Sequence, residues 1–465
     1  MKKNLLFLLT LSAALLRGQA VEAHFAQHLI TQAMSAHPEL QKIGIHVIPP
    51  GGSDDCIIAC SVPSKIGKKS SAADLAVKRS GKPTVKTVTE GSFYDLALPL
   101  ADSGNHSIGM IVMEMRMSGA SSPDDAVQKA TAIRDGMQGK VPNGQSLFAA
   151  APASDPLVLL RTTPLPDITG DFDHFAVDVA HNRLYVSAEV HHSIEVFNLK
   201  TGEHLMSAPG VTTPHTLAFV PETGQLLVAD GGDNSCRVLD GADLHEVKRI
   251  LLEAYPDAGF YDAEKRLFYV GNGGKRANAA YSFVSIISAE GGKEMGRIRV
   301  ESANLEAMAL DREHNLLYVN IRDKSQIAVI DLAKKEVRQT WSIPGLNLNT
   351  PMELDAANQR LFVAGRKPGK LFIIATGTGQ VIATLDCVET ANDMTFDPAA
   401  HRIYVTGSGG VTVVQQDGAD TYRTLAQFGT NGGKTSVLVP SVKQFYIAHT
   451  KTPEDNAGLQ VYQVN

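Results

Sequence analysis

Beyond residue 170 the chain alternates short apolar runs with turn residues, and one phrase recurs: a turn, two bulky residues, then a valine or isoleucine. The instances are Leu184-Tyr185-Val186, Leu226-Leu227-Val228, Phe268-Tyr269-Val270, Leu317-Tyr318-Val319, Leu361-Phe362-Val363, Ile403-Tyr404-Val405 and Phe445-Tyr446-Ile447. Their middle residues are 42, 42, 49, 44, 42 and 42 apart. A fixed pitch over seven copies is an internal repeat. The first copy reads as four short strands, Phe175–Val179, Leu184–Ala188, Ile194–Asn198 and one beginning at His204–Ser207, with turns at His181-Asn182-Arg183 and Lys200-Thr201-Gly202. Short strands punctuated by Gly, Asn and Asp indicate an all-β region. A repeat of about 40–45 residues holding four strands predicts a propeller blade. The longest step has a local cause, since Gly271 to Asn278 lengthens one loop of the third blade.

The pattern also predicts how the ring closes. The seventh copy ends at Asn465 after its third strand, Leu459–Val464. Ahead of the first copy, Leu157 to Thr163 matches only the fourth-strand pattern, as in Val337–Ile343 followed by Pro344. Pairing this segment into the last blade would close the ring and leave no exposed sheet edge. The propeller is therefore expected over residues 156–465.

Residues 24–142 do not share the period. His24–Gln41 carries Phe25, Leu29, Ile30, Ala33 and Met34 at helical spacing. Strands are predicted at Ile43–Ile48, Cys56–Val62, Thr84–Thr89, Phe93–Pro99 and Ile108–Met117, with a short helix at Ser71–Arg79. Ser122-Pro123-Asp124-Asp125 opens a last helix, with a capping residue, a first-turn proline and acids at the positive end. The order α-β-β-α-β-β-β-α predicts a small α+β domain on one antiparallel sheet. Asn143 to Asp155, rich in Ala, Ser and Pro, reads as a linker.

Composition then bounds the setting. The formal net charge of −6, with 20% charged residues, gives no electrostatic footprint for nucleic acid. Residues 1–23 carry Lys2 and Lys3, an apolar run from Leu5 to Leu16, and small residues up to Ala20 and Ala23. That is the three-part pattern of a secretory signal peptide, with an apolar run too short to span a bilayer. The mature chain is expected to be periplasmic or secreted, without a transmembrane segment, and monomeric. Of the four cysteines, Cys56 and Cys60 on one strand would stand about 13 Å apart at ~3.3 Å per residue. A disulfide needs Cα atoms within roughly 7 Å, so free thiols are expected. The absence of a CxxC pair removes support for a structural zinc site.

The repeated phrases, with segments such as Ile327-Ala328-Val329-Ile330-Asp331-Leu332, resemble the YVTN-type repeats of YncE-like propellers over about residues 157–465. The resemblance implies an exported seven-bladed propeller and says little of activity. Leu317-Tyr318-Val319-Asn320 comes nearest to the eponymous tetrapeptide. Leu96 to Gly104, followed by Ile108-Gly109-Met110-Ile111-Val112, resembles the hairpin of Cache and PAS-like extracellular sensor domains, which implies small-ligand sensing.

Aligning the blades puts one position just before each innermost strand: Asp173, His215, Asp257, Glu306, Thr350, Asn392 and Lys434. The next holds His174, Thr216, Ala258, Ala307, Pro351, Asp393 and Thr435. Propeller geometry rings these positions around one end of the channel. Convergent carboxylates, imidazoles and amides suit a polar ligand or a hard cation. Pre-strand residues are also polar simply because they cap turns and meet water. Asp178, Asp262, Asp311, Asp355 and Asp397 recur in another register, where they are expected to accept local backbone hydrogen bonds. No Gly-x-Ser-x-Gly elbow, HExxH, Walker loop or CxxCH is present, and the single Trp argues against quinoprotein dehydrogenases.

The leading expectation is therefore a non-enzymatic binding protein for a small polar ligand or an envelope protein. Its site would be Asp173, His174, His215, Asp257, Glu306, Asn392, Asp393 and Lys434. The alternative is a metal-dependent, lactonase-like hydrolase whose ring acids hold Ca²⁺ or Zn²⁺. Three ring acids against one lysine favour a cationic or hydroxyl-rich ligand over a strongly anionic one.

Overall fold

The computed structural model describes residues 23–149, 155–453 and 455–465. The expected signal peptide, apart from Ala23, lies outside these residues. In the N-terminal domain α1 (His24–Ala36), β1 (Leu40–Val47), β2 (Cys56–Cys60), α2 (Ala72–Ser80), β3 (Thr84–Val88), β4 (Phe93–Ala101), β5 (Ser107–Arg116) and α3 (Pro123–Gln138) follow the predicted order. They build one antiparallel sheet, β2-β1-β5-β4-β3. α1 ends five residues before the predicted limit because Pro38 bars its predecessor from the helical region, and His37 leaves the helix at φ −129°, ψ 79°. Ser71 and Asp74 form a reciprocal capping box on α2, with backbone-to-side-chain bonds of 3.1 and 3.0 Å. Ser122 caps α3 through the Asp125 amide at 3.1 Å. Leu29 and Ile30 of α1, Leu96 and Leu98 of β4, Ile111 and Met113 of β5, and Ile133 of α3 meet in the domain core. Gly144–Phe148 is a short 3-10 turn that buries Leu147 in this core, while 150–154 of the expected linker lie outside the described residues.

Among the described residues, seven four-stranded antiparallel sheets follow. Blades 1 to 6 are each consecutive in sequence, from Phe175–Pro209 through Ala391–Phe428. Blade 7 takes Thr435–Val439, Gln444–His449 and Ala457–Val464 from the C-terminus and Leu157–Leu165 from the start of the propeller. An independent detail shows that Leu157–Leu165 is a true fourth strand. Every blade has a register shift at the same place in its outer ladder, leaving Leu205, Val247, Met295, Arg338, Ile382, Leu425 and Leu160 as the extra residues. Such a bulge increases the twist of the outer strand.

The hairpins facing away from the mouth also repeat. Asn182, Gly224, Arg266, Asn315, Gln359, His401 and Lys443 occupy the left-handed region at one register. Four residues upstream, Asp178, Asp262, Asp311, Asp355 and Asp397 accept amide hydrogens at 2.9–3.2 Å, as expected of turn residues. Blade-to-blade packing is apolar: Leu184, Val186, Ala188 and Phe197 of blade 1 pack with Val439, Tyr446 and Leu459 of blade 7. α1 packs on Leu157–Leu165 and on the outer strand of blade 6, and His28 pairs with Asp155. All four cysteines are free, with Cys56 half-buried and the others buried. No helix among the described residues is long and apolar enough to cross a membrane.

Candidate functional site

Six of the eight predicted residues, Asp173, His215, Asp257, Glu306, Asn392 and Lys434, line one cavity of about 640 Å³ at the channel mouth. The other two, His174 and Asp393, line a narrower cavity of about 210 Å³ below it. Thr350, at the equivalent place in blade 5, borders only this lower cavity. The backbone holds the ring in place. The amide of Asp173 donates to Ser187 O and that of Asp257 to Gly271 O, both at 3.0 Å, and Thr350 N reaches Ala364 O at 3.2 Å. In blades 1, 3 and 5 the pre-strand residue is thus tied to the exit of its neighbouring strand, and its side chain is left to the channel.

On one wall the side chains form a chain of alternating charge. Asp393 accepts from Ser436 N at 2.8 Å and stands 3.2 Å from His174 Nδ1. His174 Nε2 lies 3.5 Å from Asp173. Asp173 is 2.7 Å from His215 Nδ1, and Asp257 is 3.5 Å from the same nitrogen. His215 leans against Tyr255, centroids 5.0 Å apart, and the Arg276 guanidinium covers Tyr255 at 4.1 Å.

The imidazoles answer to these acids. Burial pulls His174 down, but Asp173 and Asp393 outweigh it and raise it to about 10. Against the same burial, Asp257 and Asp173 raise His215 to about 9. Burial also works to raise the Asp173 carboxyl, yet His174, His215 and Lys434 hold it below the carboxylate range. Asp257 goes the other way, raised by burial and by Asp173 against the pull of His215. Glu306 is pushed up to about 7 by burial and Asp257 despite Arg322, and Glu353, below it, to about 8, mainly by burial.

The rest of the mouth adds residues the first ring does not contain. Arg322 pairs with Glu306 at 2.6 Å. Arg366 donates to Ala391 O at 3.0 Å and to Asn392. Lys434 pairs with Asp171. Glu189, Arg322 and Arg366 form a second ring, each four residues past the middle of its blade's repeated phrase. That register is visible in the sequence once strand exits are aligned as well as strand entries. Lys275 and Arg276 come from the lengthened blade 3 loop. The mouth therefore carries five lysine and arginine cations (Lys275, Arg276, Arg322, Arg366, Lys434), joined below about pH 9 by His215, against four acids (Asp173, Glu189, Asp257, Glu306). The charge balance drawn from the first ring alone is corrected accordingly.

Three lining residues also present buried polar atoms without a partner among the described residues: His215 Nε2, Asn272 Oδ1 and Asn304 Oδ1. For a metal, donor atoms of Asp173, His215 and Asp257 lie within 4.8 Å of one another. The nitrogen that faces both acids already bonds Asp173, so an ion there would have to replace its proton.

These features define the class: a seven-bladed β-propeller with a polar channel mouth, preceded by a small α+β domain. No family model matches the sequence, and no curated protein does. Among solved structures the chain is similar to hydrazine synthase of Kuenenia stuttgartiensis, with TM-score 0.55 and 16% identity, over 65% of this chain and 98% of that one. It is similar as well to a chain of the mitotic checkpoint complex, with TM-score 0.55 and 12% identity, over 66% of this chain and 91% of that one. At these identities the likeness concerns the fold.

Proposed function

We propose that this is an exported, non-enzymatic binding protein whose propeller mouth takes a small polar ligand. The observation that carries the reading is the mouth cavity of about 640 Å³, polar on every side and fed by several blades. Its volume falls in the range of small-molecule sites, about 300–1,000 Å³. Buried acceptors left unpartnered beside it have a desolvation cost that a ligand's donors would offset. The resemblances to YncE-like propellers and to Cache and PAS-like sensors support the same reading, since both imply roles outside the cytoplasm.

A second reading, metal-dependent hydrolysis, has one observation in its favour, the spacing of Asp173, His215 and Asp257. Were Ca²⁺ or Zn²⁺ bound there, it would supply Lewis acidity, and Glu306, near neutrality, would be placed to exchange a proton. One experiment separates the two. The protein is purified without chelator, assayed for bound metal, and screened by thermal shift against organic acids, sugars, lactones and metal salts. Binding predicts a metal-free protein stabilised by a small organic molecule, with the shift lost in Asp173→Asn. Stoichiometric metal lost in that variant, together with lactone turnover, would establish the hydrolase instead.

A further inference from the structure

We infer that the ligand of the mouth is a small organic carboxylate that carries an amino or hydroxyl group at its other end. The inference rests on the reading of the mouth as a ligand site and names the chemistry that the site selects. At the strand entries and exits of blades 1 to 5, charge is sorted by blade except for Glu306, which Arg322 holds. Asp173, Glu189 and Asp257, with His215 between them, come from blades 1 to 3, whereas Arg322 and Arg366 come from blades 4 and 5. A ligand spanning the mouth thus meets acceptors on one side and guanidiniums on the other.

The basic side has capacity left. A guanidinium offers five N–H donors. Arg322 uses its side chain on Glu306 alone, and Arg366 on Ala391 O and Asn392. Neither is locked in a two-point pair with a carboxylate of the protein, so each keeps donors for the planar fork that carboxylates fit. The two are close enough for Arg322 to help depress Arg366, after burial. An anion between them would relieve that repulsion. Arg276, braced on Tyr255 at 4.1 Å, and Lys275 add positive potential from the blade 3 loop.

The acidic side is short of donors, with His215 Nε2 and the loop cations Lys275 and Arg276 set against three carboxylates. Asn272 Oδ1, from blade 3, is a buried acceptor without a partner, and Glu189 and Asp257 border the same space; Asn304 Oδ1 is a second such acceptor at the entry to blade 4, beside Arg322. An ammonium or hydroxyl would serve them. A bare cation would leave the guanidiniums unmatched, and a neutral sugar would leave them uncompensated. A polyphosphate would meet Glu189, Asp257 and Glu306 at close range. Only a ligand with both ends satisfies both walls.

Calorimetric titration of the full chain tests this. The probes are 4-aminobutyrate and 4-hydroxybutyrate, butyrate (the same chain without its terminal donor), inorganic phosphate, glucose and putrescine. 4-Aminobutyrate or 4-hydroxybutyrate should bind, and butyrate about tenfold more weakly, because a site built for a donor rejects the analogue lacking it. Arg322→Gln/Arg366→Gln should weaken binding of the two-ended probes about tenfold or more. The loop variant Lys275→Ala/Arg276→Ala should weaken it by a smaller factor and make it less sensitive to salt. That second variant lies in an exposed loop and keeps the test alive if the first does not fold. Phosphate binding as tightly as 4-aminobutyrate or 4-hydroxybutyrate would overturn the two-ended ligand, as would carboxylate binding untouched by either variant. Glucose or putrescine as the best ligand, lost in Asp173→Asn, would overturn the carboxylate while leaving the mouth as the site. If no probe binds, the inference falls, while the binding reading is decided by the thermal-shift screen.

Discussion

The propeller uses aspartate in two rings, and the contrast between them separates architecture from function. In the turn ring, Asp178 receives the His181 amide at 3.1 Å and its imidazole at 2.7 Å, three residues away. Asp311 repeats the arrangement with His314 at 3.0 and 2.9 Å. Such partners arrive with the turn itself. In the mouth ring, Asp173 depends on His215, 42 residues away, and Asp257 has that same imidazole as its nearest cation at 3.5 Å. Asp178 and Asp311 are satisfied locally and cheaply, whereas Asp262 and Asp355 of the same ring add Arg312 and Gln416 from neighbouring blades. The mouth acids are brought together by the packing of successive blades and remain partly unmatched, which is what a binding site needs and a turn does not.

Substitution can break this contrast most sharply at the turns. Removing a buried carboxylate leaves its donors unpaired, so Asp178→Ala or Asp311→Ala should cost about 1–3 kcal/mol in urea unfolding. Asp257→Asn, half-buried and held above its ordinary range, should leave stability at neutral pH unchanged or slightly raised in the same measurement. Equal losses at both places would erase the distinction.

Proton linkage sharpens the comparison on a smaller scale. Glu353 keeps its proton to about pH 8 in the folded chain, against an ordinary value of 4.5. Between those limits the unfolded chain binds fewer protons, so stability falls as pH rises. Glu353→Gln should flatten that part of the profile. His174 and His215 act later, since their stabilisation is complete below the ordinary value of 6.5 and is lost as pH rises through about 9 and 10. The alkaline loss should therefore survive in Glu353→Gln. A profile unchanged by the substitution would contradict the burial-driven shift.

The fold was legible because its signal is repeated. Seven phrases at one pitch announce the blades, and the missing fourth strand after Leu459–Val464 points to Leu157–Thr163. The first ring was legible for the same reason, as a register just ahead of each inner strand. The second ring was not, although Glu189, Arg322 and Arg366 share an equally regular position. They vary in sign from blade to blade and look like ordinary strand exits until the fold turns them toward one cavity. The consequence was a miscounted charge. Packing of α1 on Leu157–Leu165 was also beyond reach, because no periodicity marks the facing surfaces of two domains. Pro38 carried the true end of α1 in plain view, but apolar spacing beyond it masked the break.

The central claim is that ligand binding happens at the mouth, and hydrogen exchange read across the whole chain tests it most directly. The protein would be compared with and without whichever titrated probe binds best. Protection is predicted at 171–174, 187–190, 254–258, 271–277, 303–307, 322 and 366, with the outer strands and the N-terminal domain unchanged. Protection confined to the N-terminal domain or to the outer strands, with the mouth unaltered, would contradict the account.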